Sequence, residues 1–143
     1  MKPFTFRLQT VLEQRRLVEE QRREELTRLR TAASAIREEI HALDEEMRRT
    51  RRERQEMVVQ GDLDHARLAE DYLHALTIRR RQHERRLADL ADEIVNARSA
   101  LLAARREHKA VETLRDRDFS AYQVEARRQE QRDIDEIASR RHG

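Results

Sequence analysis

Several residue types in this chain do chemistry in other proteins, and their spacing decides what they can do here. Six histidines stand at 41, 65, 74, 83, 108 and 142. They form no HExxH pattern and no i, i+4 pair, the spacing that sets two imidazoles on one helix face around a metal. Carboxylate pairs recur at Glu24-Glu25, Glu38-Glu39 and Glu45-Glu46. On a solvated helix such pairs lie in ion-pair range of arginines three and four residues away, and they read as ion-pairing surface. No Ser or Thr hydroxyl has a His-plus-carboxylate neighbour to activate it. Gly occurs only at 61 and 143, so no glycine-rich loop can cradle a phosphate. Without cysteine there is no thiol nucleophile, thiolate zinc site or disulfide frame. A protein that is not an enzyme, with no metal and no cofactor, is expected.

The elements that carry these residues follow from composition. Of the 143 residues, 42% are charged and only 37% hydrophobic, too little apolar material for a globular core. The alternatives are a disordered chain and a long helical assembly, separated by whether the apolar residues recur at a helical period. They do. Strand formers are scarce, and the abundant Arg, Glu, Leu, Ala and Gln keep most of their side-chain freedom in a helix, so the fold class is all-α. Basic and acidic residues nearly cancel at +2 and are interspersed, which disfavours nucleic acid as a partner. The short apolar runs and the start Met-Lys-Pro-Phe-Thr-Phe offer neither a membrane span nor a signal-peptide core, so membrane association without direct insertion is expected.

The predicted architecture is a long two-helix antiparallel coiled-coil hairpin over residues 1–143. Helix 1 is expected over about 4–58, with Pro3 ahead of it and Thr5 or a neighbour as cap. Leu26, Leu29, Ala33, Ile36, Ile40, Leu43, Met47, Thr50, Arg54 and Met57 alternate steps of three and four, a coiled-coil seam. Upstream, Leu8, Val11, Arg15, Val18 and Arg22 join it through an extra four-residue step, a stutter. The turn is expected over about 59–64, with Gly61 ending helix 1 and Asp62 or Asp64 capping helix 2. Helix 2, about 65–140, continues the seam through Leu68 or Ala69, Tyr72, Leu76, Arg79, His83, Leu87, Leu90, Ile94, Ala97, Leu101, Ala104, His108 and Val111. Facing numbers such as Leu29 with Ile94, Ile36 with Leu87 and Met47 with Leu76 sum to about 122, as two antiparallel helices of equal rise require. Polar seam members can specify register at a cost in stability.

Two surfaces stand out as partner sites. Near the turn, Tyr72, Leu76, Arg79 and His83 form one stripe. A small shift that buries Ala69, Leu73, Leu76, Arg80 and His83 instead would turn Tyr72 and Arg79 outward. At the other end helix 2 outruns helix 1, so Phe119, Tyr122, Val124, Ile134 and Ile137 have no helix opposite and call for a partner, unless the end is a frayed tail.

The opening Phe4-Thr5-Phe6-Arg7-Leu8-Gln9-Thr10-Val11-Leu12 followed by Arg15 resembles the flagellar FliJ family. So do the closing Leu114-Arg115-Asp116-Arg117 and Glu130-Gln131-Arg132-Asp133-Ile134-Asp135-Glu136-Ile137-Ala138. The resemblance implies a small cytoplasmic component of the flagellar type III export apparatus, peripheral at the cytoplasmic face of the inner membrane at the basal body. It is similar in shape to the central stalk of rotary ATPases. The partners it implies are the hexameric export ATPase, the cytoplasmic domain of the export gate, and export chaperones. The ATPase-binding residues carried over are Phe4, Phe6, Leu8, Val11, Leu114, Arg117, Arg128, Gln131, Asp135 and Glu136, to which the overhang adds Phe119 and Tyr122. The gate-binding stripe is Tyr72, Leu76, Arg79 and His83, with Arg79 standing where the family has a small residue. The competing readings are a generic coiled-coil scaffold or dimer, against which Gly61 argues, and a basic nucleic-acid binder, which would need arginine faces free of acids.

Overall fold

In the computed structural model, which describes residues 2–142, two helices run α1(Gln9–Val59) and α2(Leu63–His142) and pack against each other as a hairpin, with no strand among the described residues. The packing of the described residues falls into two compact units, one of residues up to 23 with those from 100 onward and one of residues 24–99.

The second unit contains the turn. Gly61 holds φ at +78°, the left-handed conformation in which a Cβ is costly. Its N–H donates to the Val58 carbonyl at 3.1 Å and the Asp62 N–H to the Met57 carbonyl at 2.9 Å. This pair of reversed bonds is a Schellman motif, and it satisfies carbonyls that the end of α1 would leave unpaired. Asp62 then caps α2: its Oδ1 accepts from the His65 N–H at 3.3 Å. The same carboxylate meets His65 Nδ1 at 2.7 Å, which lowers the Asp62 pKa and raises that of His65. Of the two caps left open by the sequence, Asp62 is the one used.

Between these helices Leu29, Ala33 and Leu90 form a buried cluster flanked by Ile36, Leu87, Ile94 and Ala97. Met47, Leu73 and Leu76 form another beside Leu43. The flanking ion pairs Arg54–Glu70, Arg80–Asp44 and His83–Glu39 keep the same register, their numbers again summing to about 122. Near the turn, however, the seam takes the shifted set. Leu73 is buried and Tyr72 exposed; Arg80 is half-buried on Asp44 and Arg79 exposed. The buried series Ala66, Ala69, Leu73, Leu76, Arg80, His83, Leu87, Leu90 is then an unbroken alternation of three and four. Tyr72 and Arg79 would have interrupted it.

In the first unit the sequence reading needs two corrections. Leu12, not Val11, is fully buried at 0% exposure. The α1 seam therefore runs Leu8, Leu12, Arg15, Glu19, and the expected stutter disappears, because this set meets Leu26 in strict four-three alternation. Val18 lies beside the seam and an acid occupies it. Glu19 tolerates that position because His108 Nδ1 stands 2.5 Å from its Oε2, with Arg23 at 3.2 Å and Arg105 at 3.6 Å. His108 Nε2 lies 3.2 Å from Glu112, without hydrogen-bond geometry. Half-buried charge of this kind is held by its partners and fixes register rather than adding much stability.

The second correction concerns the start of α1, at Gln9 rather than about residue 4. The first turn is closed by Gln9 N–H on the Phe6 carbonyl at 3.0 Å. Phe4-Thr5-Phe6 is non-helical. Extended backbone advances about 3.3 Å per residue against about 1.5 Å in a helix, which carries Phe4 further along α2 than another helical turn could.

Candidate partner-binding sites

That short non-helical strap organises the first site. Phe6 folds inward and is buried at 7% exposure. Phe4 meets the Phe119 ring edge-on, centroids 5.1 Å apart, and the Tyr122 ring at 5.5 Å. Phe119 and Tyr122, one helical turn apart on α2, lie nearly parallel at 6.4 Å. Arg115 places its guanidinium 6.0 Å from the Phe4 ring centroid, at the limit of a cation–π contact. The Tyr122 hydroxyl donates to the Lys2 carbonyl at 2.7 Å, locking the strap down. Such ring geometry contributes roughly 0.5–1.5 kcal/mol per pair beyond area burial. A shallow depression of about 300 Å³ lined by Phe4, Thr5, Phe6, Gln9 and Arg115 borders the cluster.

The strap, and not α1, partly covers Phe119 and Tyr122: Phe119 stays 40% exposed and Tyr122 is half-buried. The exposed stretch of α2 already includes residues 116–121, and Gln131 through His142 is exposed throughout. Val124, Ile134 and Ile137 are each close to half exposed. Arg117, Val124, Arg128, Gln131 and Asp135 recur at helical spacing and so share one stripe of this stretch. Gln131 donates to Asp135 at 2.9 Å and Arg140 to Glu136 at 2.6 Å along it. The twelve ATPase-binding candidates all lie in this first unit. Phe4, Phe119 and Tyr122 touch, Arg117, Arg128, Gln131 and Asp135 align, Glu136 stands beside the stripe, and Leu114 is exposed. Leu8 and Val11 are half-buried, and Phe6 is turned inward, away from any partner.

The second site splits. Leu76 is 3% exposed and packs with Met47 and Leu73. Tyr72 and Arg79, one heptad apart, face out on the same flank. The Tyr72 hydroxyl donates to Glu46 Oε1 at 3.3 Å, a carboxylate held below the usual range by the Arg49 hydrogen bond first and by Tyr72 last. His83 presents one edge there, its Nδ1 3.2 Å from Glu39. This candidate stripe thus offers three side chains, with Leu76 as their footing. Glu19, Arg115 and Leu12 were missed as organising residues. Glu19 was within reach only by accepting an acid in the seam, and Arg115 only once the strap is known to lie over it.

Among the described residues no group of three His, Asp or Glu side chains is placed to hold a metal ion, and no helix is long and apolar enough to cross a membrane. Comparison with curated proteins and with solved structures found no match for this chain. The family model described as "Flagellar FliJ protein" matches residues 4–143, and the chain belongs to the flagellar FliJ family, a component of the flagellar protein-export apparatus.

Proposed function

We propose that the protein serves export as a non-catalytic, stalk-like partner of the hexameric export ATPase, seated at the cytoplasmic face of the membrane. The stripe of Arg117, Val124, Arg128, Gln131 and Asp135 on an α2 stretch without a facing helix is the observation that carries this reading. Its half-exposed Val124 and its alternating charges suit a ring's inner wall, where arginine anchors contribute strongly to binding. The strap's part is to hold the base of that stretch rigid, so Phe119 and Tyr122 act as supports more than as contacts. Tyr72, Arg79 and His83, in the other unit, are the surface proposed for the export gate. Chaperone hand-over would follow from engaging both.

Deleting residues 124–143 leaves the strap and its ring cluster intact, so the shortened chain should stay folded by circular dichroism yet lose co-purification with the ATPase hexamer. Undiminished co-purification would sink the assignment. Charge reversal at Arg128 and Asp135 together should weaken binding by about tenfold or more, as for paired charges at an interface. For the gate, Tyr72→Ala with Arg79→Glu should reduce capture by its cytoplasmic domain while leaving ATPase binding unchanged.

A further inference from the structure

The near-neutral composition hides a charge separation in the second unit. With Leu26, Ala33, Ile40, Met47 and Arg54 at heptad position a on α1, and Ala66, Leu73, Arg80, Leu87 and Ile94 at a on α2, every other residue has a flank assigned by helical geometry. Positions e and b of both helices border one side of an antiparallel pair; positions g and c border the other. The contacts agree: Tyr72 and Glu46, both at g, meet each other, whereas Asp44, Arg48, Arg51, Thr77 and Arg80, from e, b and a, line a common depression of about 450 Å³ with Met47.

On the e/b flank α1 places Arg30, Arg37, Arg48 and Arg51, and α2 adds Arg67, Arg81 and Arg98. The acids on that flank are Asp44, Glu70 and Glu84. All three are already engaged by seam arginines, the first and last by Arg80 and Glu70 by Arg54. Arg48 pairs with Glu45. The other arginines of the flank have no hydrogen bond or ion pair among the described residues. The g/c flank is the reverse, with Glu25, Glu39, Glu46, Glu53, Glu56, Asp89 and Glu93 outnumbering Arg28, Arg49, Arg79 and Arg86.

Between the basic side chains the e/b flank is smooth and partly apolar. Ser34 on α1 and Ala88, Ala91 and Val95 on α2 are all exposed there, Val95 to 62%. Small residues at these positions let a third helix approach two packed ones, and Val95 supplies an apolar anchor. Arg30 and Arg37 on one wall are a heptad apart, on the order of 10 Å, the repeat of acids along a facing helix.

We propose that this groove of the second unit docks an acidic amphipathic helix of a partner protein, whose apolar stripe lies on Ala88, Ala91 and Val95 and whose carboxylates pair with Arg30, Arg37 and Arg98. A second copy is a poor occupant: a two-fold contact would set basic flank on basic flank. Basic on acidic would be head-to-tail and would not close. A bare polyanion would leave the apolar floor unused. The groove shares no residue with either surface assigned above, so its test is independent of theirs.

The test uses the full chain and a fluorescent synthetic peptide of about three heptads, with a Leu/Ala stripe flanked by glutamates, read by anisotropy at low and moderate salt. Wild-type protein should bind it, weakening as salt rises. Arg30→Glu, Arg37→Glu and Arg98→Glu together should weaken binding about tenfold or more, and Val95→Asp should weaken it without a change of net arginine charge. Arg28→Glu with Arg86→Glu, on the opposite flank, should leave it within about twofold. A peptide of the same charge with serine in place of its apolar stripe should bind about tenfold more weakly. Circular dichroism establishes that each variant keeps its helix content. The proposal is overturned by no binding, by equal loss in the opposite-flank variant, or by equal binding of the serine peptide. It is likewise overturned by tighter binding of a single-stranded oligonucleotide or of anionic vesicles, or by sedimentation showing that the groove is filled by a second copy.

Discussion

Replacing Leu12 by alanine tests the corrected seam of the first unit, because the neighbouring Val11→Ala must then behave differently. Leu12 is fully buried, with 0% of its surface exposed. Truncation removes three carbons, about 2.4 kcal/mol at roughly 0.8 kcal/mol per buried methylene. A residual cavity adds to this, although two facing helices can close part of it, giving about 2.5–3.5 kcal/mol in all. Val11 is only half-buried and loses two carbons, so its truncation should cost less than about 1 kcal/mol. Urea unfolding followed by far-ultraviolet circular dichroism gives the global cost. Amide hydrogen exchange shows whether the loss is confined to the first unit, as local opening would make it. A Val11→Ala cost equal to or above that of Leu12→Ala would refute the register and restore the stutter.

Gly61→Ala meets no atom within 4 Å, so its cost is conformational alone: about 1–2 kcal/mol from the left-handed backbone, with Gly61→Asn losing less, both read from thermal melts. Phe4→Ala should release the strap, costing about 1–3 kcal/mol of ring packing and burial and raising hydrogen exchange in α2 around Phe119 and Tyr122; unchanged protection there would remove the strap from the account. The Asp62–His65 cap should make stability at the turn pH-dependent. The raised His65 pKa adds stability present below its unfolded value and lost as pH rises through the folded one, and the lowered Asp62 pKa adds stability present above its unfolded value and lost as pH falls through the folded one. The contribution is therefore greatest between the carboxylate and imidazole ranges, and Asp62→Ala should flatten the pH profile of melting. A profile unaltered by that substitution would contradict the cap.

Where a seam position had one apolar claimant, the sequence was enough. Leu26, Leu29, Ile36, Leu43, Met47, Leu87, Leu90 and Ile94 have at most a smaller apolar neighbour, and the pairing of Leu29 with Ile94 follows from counting. Where two neighbours compete, counting fails. Tyr72 and Leu73, or Arg79 and Arg80, are equal by type, and the choice is made by Asp44 receiving Arg80 across the interface. The set containing Leu12 places Glu19 in the seam, which apolar spacing alone does not suggest. His108 and Arg105, distant in sequence, make that tolerable together with the local Arg23. The strap had no periodicity to read, since Phe4 is placed by the Phe119 and Tyr122 rings of α2. The candidate partner residues were legible as types and stripes; which of them face outward was not.

Both candidate surfaces depend on α2 folding back on α1 within one chain, and a single distance tests that most directly. The protein has no cysteine, so spin labels can be set at the exposed pair Ser34→Cys and Ala88→Cys in the second unit and diluted with unlabelled chain. Helices packed 8–10 Å apart in register predict an electron–electron distance of about 15–25 Å. A continuous helix, or a hairpin exchanged between chains, would instead place the two labels of one chain roughly 80 Å apart, and that result would contradict it.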